Sequence, residues 1–145
     1  MFFWDRHKAI TDYYELLADR ICQQYGLTQM EYDILMFLQS SPQHNTAAEI
    51  VKVRKSTKSH VSISLKRLED RGLIERTQSP DNKKHIEIAL QEASKPIIEA
   101  GIRVQKQFAK DILSGLTQEE KDICVRVFCT IYENAQAHLD KELKK

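Results

Sequence analysis

Between Ser56 and Arg67 the chain gathers side chains suited to hydrogen-bonding a polar surface: Ser56, Thr57, Lys58, Ser59, His60, Ser62 and Ser64, then Lys66 and Arg67. Hydroxyls, an imidazole and cations pair with base edges and phosphates, and a helix N-terminus adds free backbone N–H groups and a positive dipole end. Ser and Thr are mediocre helix formers, so crowding them into the first two turns of a helix has a small cost that base or phosphate contact would explain. Taken alone, the serines read first as an exposed helix face, and the surrounding basic segment reverses that preference. A second polar group follows at Arg76, Asp81, Lys83 and Lys84. From Lys52 to Lys84 ten Lys or Arg stand against four acids, in a chain whose net charge is only +1. The rest is therefore acidic, and one basic third is the footprint expected of a phosphate-binding face. Lys66, Arg67 and Arg71 fit phosphate contacts or solvated charges equally well.

Other chemistries find little support. No phosphate loop, nucleophile elbow or His-x-x-x-His motif is present, so an enzyme is not expected, nor a cofactor or a metal. No run approaches the roughly 18 apolar residues of a membrane span, and Asp5 and Arg6 interrupt the apolar start, which predicts a cytoplasmic protein without a signal peptide. Cys22, Cys124 and Cys129 form no CxxC pair and read as reduced thiols. Cys124 and Cys129 lie about 140° apart around a helix and do not share a face.

The elements that would position these groups follow from hydrophobic period. Apolar residues make up 41% of the chain, charged residues 30%, and only four Gly and three Pro interrupt it, a helix-rich globular profile. Phe3, Ile10, Tyr14, Leu17 and Ile21 predict an amphipathic helix over residues 4–24, closed at Gly26. Thr28-Gln29-Met30-Glu31 is a capping box opening a helix to residue 40, and Thr46-Ala47-Ala48-Glu49 opens a short one to Val53. Val61, Leu65 and Leu68 set the buried stripe of a helix over 57–71, capped by Gly72. The period then changes to two: strands at 73–77 and 85–90, with Ile86, Ile88 and Leu90 on one face, flank the turn Ser79-Pro80-Asp81-Asn82. A helix over 92–114 follows, carrying Ile97, Gly101, Val104, Phe108 and Ile112. Thr117-Gln118-Glu119-Glu120 caps a last helix through Ile123, Val127, Ile131 and Leu139. The fold class is mainly α with a small β-hairpin wing: a winged helix-turn-helix over 28–90, with helices 1–24 and 91–145 assigned to dimerisation, all in one domain of 145 residues. Those terminal helices carry more apolar surface than one small domain covers, which predicts a two-fold dimer.

The run from Leu27 to Leu90 resembles the multiple antibiotic resistance regulator (MarR) family. The sharpest match is Ser59-x-Val61-Ser62-x-x-Leu65-x-x-Leu68-Glu69-x-x-Gly72-Leu73-Ile74-x-Arg76, followed by Asp81-x-Lys83 in the wing. The resemblance implies a homodimer placing two recognition helices in successive major grooves of a pseudo-palindromic operator on double-stranded DNA, with wings at the flanking minor grooves. It also implies a repressor released by a small molecule bound between the DNA-binding and dimerisation regions. The chain departs from the family pattern at Lys83, commonly Arg, and at Leu90-Gln91-Glu92-Ala93-Ser94, commonly Leu-Thr-x-x-Gly. Lys is a strongly hydrated point charge, which favours phosphate contact over minor-groove insertion. Tyr14 and Tyr32, with Tyr13 and Trp4, would wall a cavity for an aromatic or other apolar effector, or serve as ordinary core. The rival functions are a winged-helix protein-interaction module and a thiol-based redox sensor acting through Cys22.

Overall fold

The computed structural model describes residues 3–54 and 56–145, with side chains from Asp5 onward. The expected packing of Phe3, the Trp4 wall and the Lys55 cation fall outside that description. The chain forms two compact units, Met1–Phe108 and 109–145.

In the first unit a 3-10 turn, Phe3–Arg6, leads into α1 (His7–Tyr25), followed by α2 (Gln29–Ser40), α3 (Ala47–Arg54), α4 (Lys58–Asp70), β1 (Ile74–Gln78) and β2 (Ile86–Leu90). A second 3-10 turn, Glu92–Ser94, precedes α5 (Lys95–Ile112), which runs on into the second unit; α6 spans Gln118–Leu143. The expected helix over 92–114 is thus shorter. Ser94 turns inward, its hydroxyl donating to the Gln91 carbonyl at 2.7 Å, and Pro96 sits in the first turn of α5 where a missing N–H costs nothing.

The capping boxes of α2 and α6 form as read: Thr28 and Thr117 hydroxyls accept from Glu31 and Glu120 N–H groups, and both carboxylates reach back. Thr46 accepts from Glu49 N–H at 3.3 Å. The α1–α2 corner turns at Gly26, whose φ of 64° lies in the left-handed region that a side chain disfavours. The core joins Ala18, Ile21 and Cys22 of α1, Tyr32, Ile34, Leu35 and Leu38 of α2, Ile50 of α3, and Val61, Leu65 and Leu68 of α4 with Leu73, Ile74, Ile88, Ile97 and Ile98. Helix α5 approaches α2 at Gly101, where a Cβ would lie 2.5 Å from Met36 Sδ and 3.0 Å from Tyr32 Oη.

The antiparallel hairpin runs from the Ile74–Leu90 pair to the Gln78–Ile86 pair. Its face is less uniform than alternation suggests. Ile88 is buried and its N–H bonds Asn45 O at 2.8 Å, whereas Ile86, near the tip, remains exposed.

Candidate nucleic-acid interface

Helix α4 begins at Thr57, whose hydroxyl accepts the His60 N–H at 3.1 Å; Thr57 is therefore first a cap. Ser56 Oγ lies 3.5 Å from His60 Nδ1. Helical spacing then sorts the side chains. Val61, Ser64, Leu65 and Leu68 turn inward and are buried, while Ser59, Ser62, Ile63 and Lys66, at i, i+3, i+4 and i+7, share the exposed face. Ser64 must be corrected as a contact residue: it sits between Val61 and Leu68 on the core stripe and is only 3% exposed. Ile63, 54% exposed, takes its place. The signal was available in the sequence, since an apolar residue two positions after Val61 is out of phase with the buried stripe.

The cations divide by type. Every arginine between residues 52 and 84 has an intramolecular partner. Arg54 pairs with Asp33 on α2. Arg67 Nη1 lies 3.8 Å from the nearly buried carboxylate of Glu31. Arg71 donates to the carbonyls of Tyr25 and Gly26. Arg76 makes a two-toothed bond to Glu69, Nη2 to Oε1 at 2.9 Å and Nε to Oε2 at 3.2 Å, and its N–H also reaches Oε2. That pair, its hydrogen bonds first, holds the Glu69 carboxyl below the usual carboxylate range. Arg76 therefore ties β1 to α4 and does not extend a free cation from the wing. Lys66 bonds Asp70 at 2.6 Å one turn along the exposed face. Lys52, Lys58, Lys83 and Lys84 have no ion-pair partner among the described residues. At the wing tip, Lys84 N–H bonds Asn82 Oδ1, His85 N–H bonds Asn82 O and Gln78 bonds the Lys83 carbonyl, which leaves both lysine side chains and exposed Asp81 outward.

The two tyrosines proposed as pocket walls separate. Tyr32 is fully buried and faces Gly101; burial, with the neighbouring Tyr14 phenol second, raises its hydroxyl above the ordinary phenol range. It is core, because its place on α2 points inward. Tyr14 is half-buried, stacks edge-on against Phe108 with centroids 5.2 Å apart, and lines an open cleft of about 400 Å³ with Met36, Phe37, Val53 and the Asp33–Arg54 pair. Burial raises the Asp33 carboxyl, with Arg54 opposing.

Cys22 is buried, its thiol donates to Thr28 O at 3.8 Å, and burial followed by the nearby Asp19, Asp33 and Glu31 charges pushes it up to about 11. At neutral pH about one thiol in 10⁴ is ionised. A maleimide added at neutral pH is expected to label Cys22 only after unfolding, as read by mass spectrometry; labelling of the native protein within minutes would contradict this environment. Among the described residues no cluster of three His, Cys, Asp or Glu could hold a metal, and no helix is long and apolar enough to cross a membrane.

Residues 25–85 match the model of the MarR family, a segment that runs from the α1–α2 corner through α2, α3, α4 and β1 to the turn before β2. Over this segment the chain is similar to the MarR family. The crystal structure of MarR is similar over 97% of this chain and 95% of its own, with 18% identity and a TM-score of 0.79. The S. aureus MepR–DNA complex is similar over 92% and 96%, at 21% identity and a TM-score of 0.75. S. aureus MepR bound to ethidium bromide is similar over 93% and 97%, at 20% identity and a TM-score of 0.60. At these identities the likeness is one of fold. No curated protein matches the sequence.

Proposed function

We propose that this chain is a MarR-family regulator: a dimeric, sequence-specific DNA-binding transcription regulator of the cytoplasm, a repressor released by an apolar effector, with no catalytic role. The observation that carries the reading is the outward face of α4: Ser59, Ser62, Ile63 and Lys66, presented by a helix whose opposite face is core and whose flanks are tied down. Hydroxyls donate to or accept from base edges, and an exposed isoleucine suits a thymine methyl group in the major groove. Lys58, Lys83 and Lys84 supply phosphate contacts, and the MepR–DNA complex supports this use of the shared fold.

Dimerisation is supported by apolar side chains left exposed on each unit: Ile10 and Leu16 on α1, and Ile123, Val127, Phe128, Ile131 and Leu139 on α6, which buries no residue of its own. The cleft beside Tyr14, Met36 and Phe37 is the effector site, and the ethidium complex of MepR supports an aromatic ligand. Burial of Cys22 speaks against thiol sensing.

Selection of bound sequences from a random duplex pool tests this reading. We expect a palindrome with half-sites about one helical turn, roughly 34 Å, apart. With that operator, Ile63→Ala should lose preference for thymine at one position of each half-site, by about 1 kcal/mol, while Ser64→Ala leaves every base preference unchanged. No enriched motif, or binding insensitive to salt, would favour a protein partner instead.

A further inference from the structure

The clamp at the C-terminal end of α4 has no place in the contacts just assigned, yet it decides how that helix is held. Arg71 Nη1 donates to Gly26 O at 3.0 Å and Nη2 to Tyr25 O at 2.6 Å, so one planar guanidinium spans two successive carbonyls at the end of α1. These carbonyls belong to the last helical residue and its cap, where helical partners run out and the dipole is negative, which favours a cation. The acceptors stand 46 and 45 residues before Arg71 in the chain, so the bond joins α4 directly to the α1–α2 corner. The corner itself is rigid: Gly26 takes the left-handed conformation, Leu27 N–H returns to Cys22 O at 2.8 Å, and the Thr28–Glu31 capping box follows at once. Arg67, one turn earlier, lies near Glu31 of that box at 3.8 Å, and Glu69 on the opposite flank holds Arg76 of β1.

We propose that Arg71 is the positioning residue of the recognition helix: by bridging Tyr25 O and Gly26 O it fixes the angle at which α4 leaves the body and therefore where Ser59, Ser62 and Ile63 meet DNA. It is not a phosphate contact. From Arg71 to Ser59 is about 18 Å at the helical rise, so a pivot of about 5° at the clamp moves the reading end by about 1.5 Å. Such a shift is enough to break hydrogen bonds that tolerate only a few tenths of an ångström. Because α1 is also the helix assigned to dimerisation, the same clamp relates the reading end to the rest of the dimer.

The role in DNA binding rests on the function proposed above; the clamp itself does not. Arg71→Ala and Arg71→Lys are compared with the parent in three measurements. In the free protein, hydrogen exchange across residues 58–70 is expected to quicken about tenfold in Arg71→Ala while α5 keeps its protection. On the selected operator, affinity falls about tenfold with an unchanged salt slope, and the preference between operators differing by one base pair in half-site spacing flattens. Arg71→Lys restores affinity only in part, since an ammonium cannot span both carbonyls with a planar fork. Unaltered exchange in Arg71→Ala overturns the clamp whether or not DNA binds. A salt slope reduced by about one would make Arg71 a phosphate contact and overturn the proposal equally. If the parent bound no duplex, the functional reading would fail while the exchange result still decided the clamp.

Discussion

Replacing Lys58, Lys83 and Lys84 together with alanine is expected to weaken operator binding by between about 10² and 10³-fold near 0.1 M salt. The magnitude follows from counterion release: each phosphate contact contributes about 0.9 to the slope of log affinity against log salt, so three lost contacts remove about 2.7. These lysines have no ion pair within the fold, so their removal should leave stability within about 0.5 kcal/mol of the parent. Arg54→Ala is the control, since Arg54 is bonded to Asp33 and is expected to keep the parent slope. Binding titrations across a salt series read both quantities. If the triple variant kept its slope while Arg54→Ala lost one contact, the division of labour between lysine and arginine would be wrong.

The second large effect lies in the buried stripe of α4. Leu65 is 1% exposed and packs in the core with Val61 and Leu68 of α4, so Leu65→Ala should cost about 3 kcal/mol through lost burial and the cavity left behind. A protein stable by about 5–15 kcal/mol survives that loss but shifts its urea midpoint visibly with an unchanged slope. A loss below about 1 kcal/mol would mean that α4 is not anchored through this stripe. Together the two experiments separate what α4 and the wing expose to a partner from what holds the helix in place.

Most elements were legible from local signals. Thr28-x-x-Glu31 and Thr117-x-x-Glu120 fix helix starts because the capping partners are three residues apart, and Gly26, Gly72 and Gly115 fix helix ends because each adopts a positive φ. The change of period after Gly72 is local too, and it located the hairpin. The errors in the candidate site have a common cause. Residue type alone makes Ser64 a contact, but its angle around the helix sends it inward, and the same geometry gives Tyr32 the core alternative of its two readings. Arg76 was counted as a wing cation because a count of charge cannot see a partner seven residues away across a turn.

By itself, then, the sequence determined the winged arrangement, the basic segment and which helix carries the hydroxyls, since these depend on spacing within a few residues. Only the tertiary structure decided which cations are free. Arg54, Arg67 and Arg71 find partners 21 to 46 residues away, a distance in sequence that no local pattern encodes. The guanidinium's planar fork suits it to bridge two acceptors, whereas a lysine ammonium is readily left in water. Between residues 52 and 84 the fold has accordingly used its arginines to hold α3 and α4 and left Lys52, Lys58, Lys83 and Lys84 without an ion pair among the described residues.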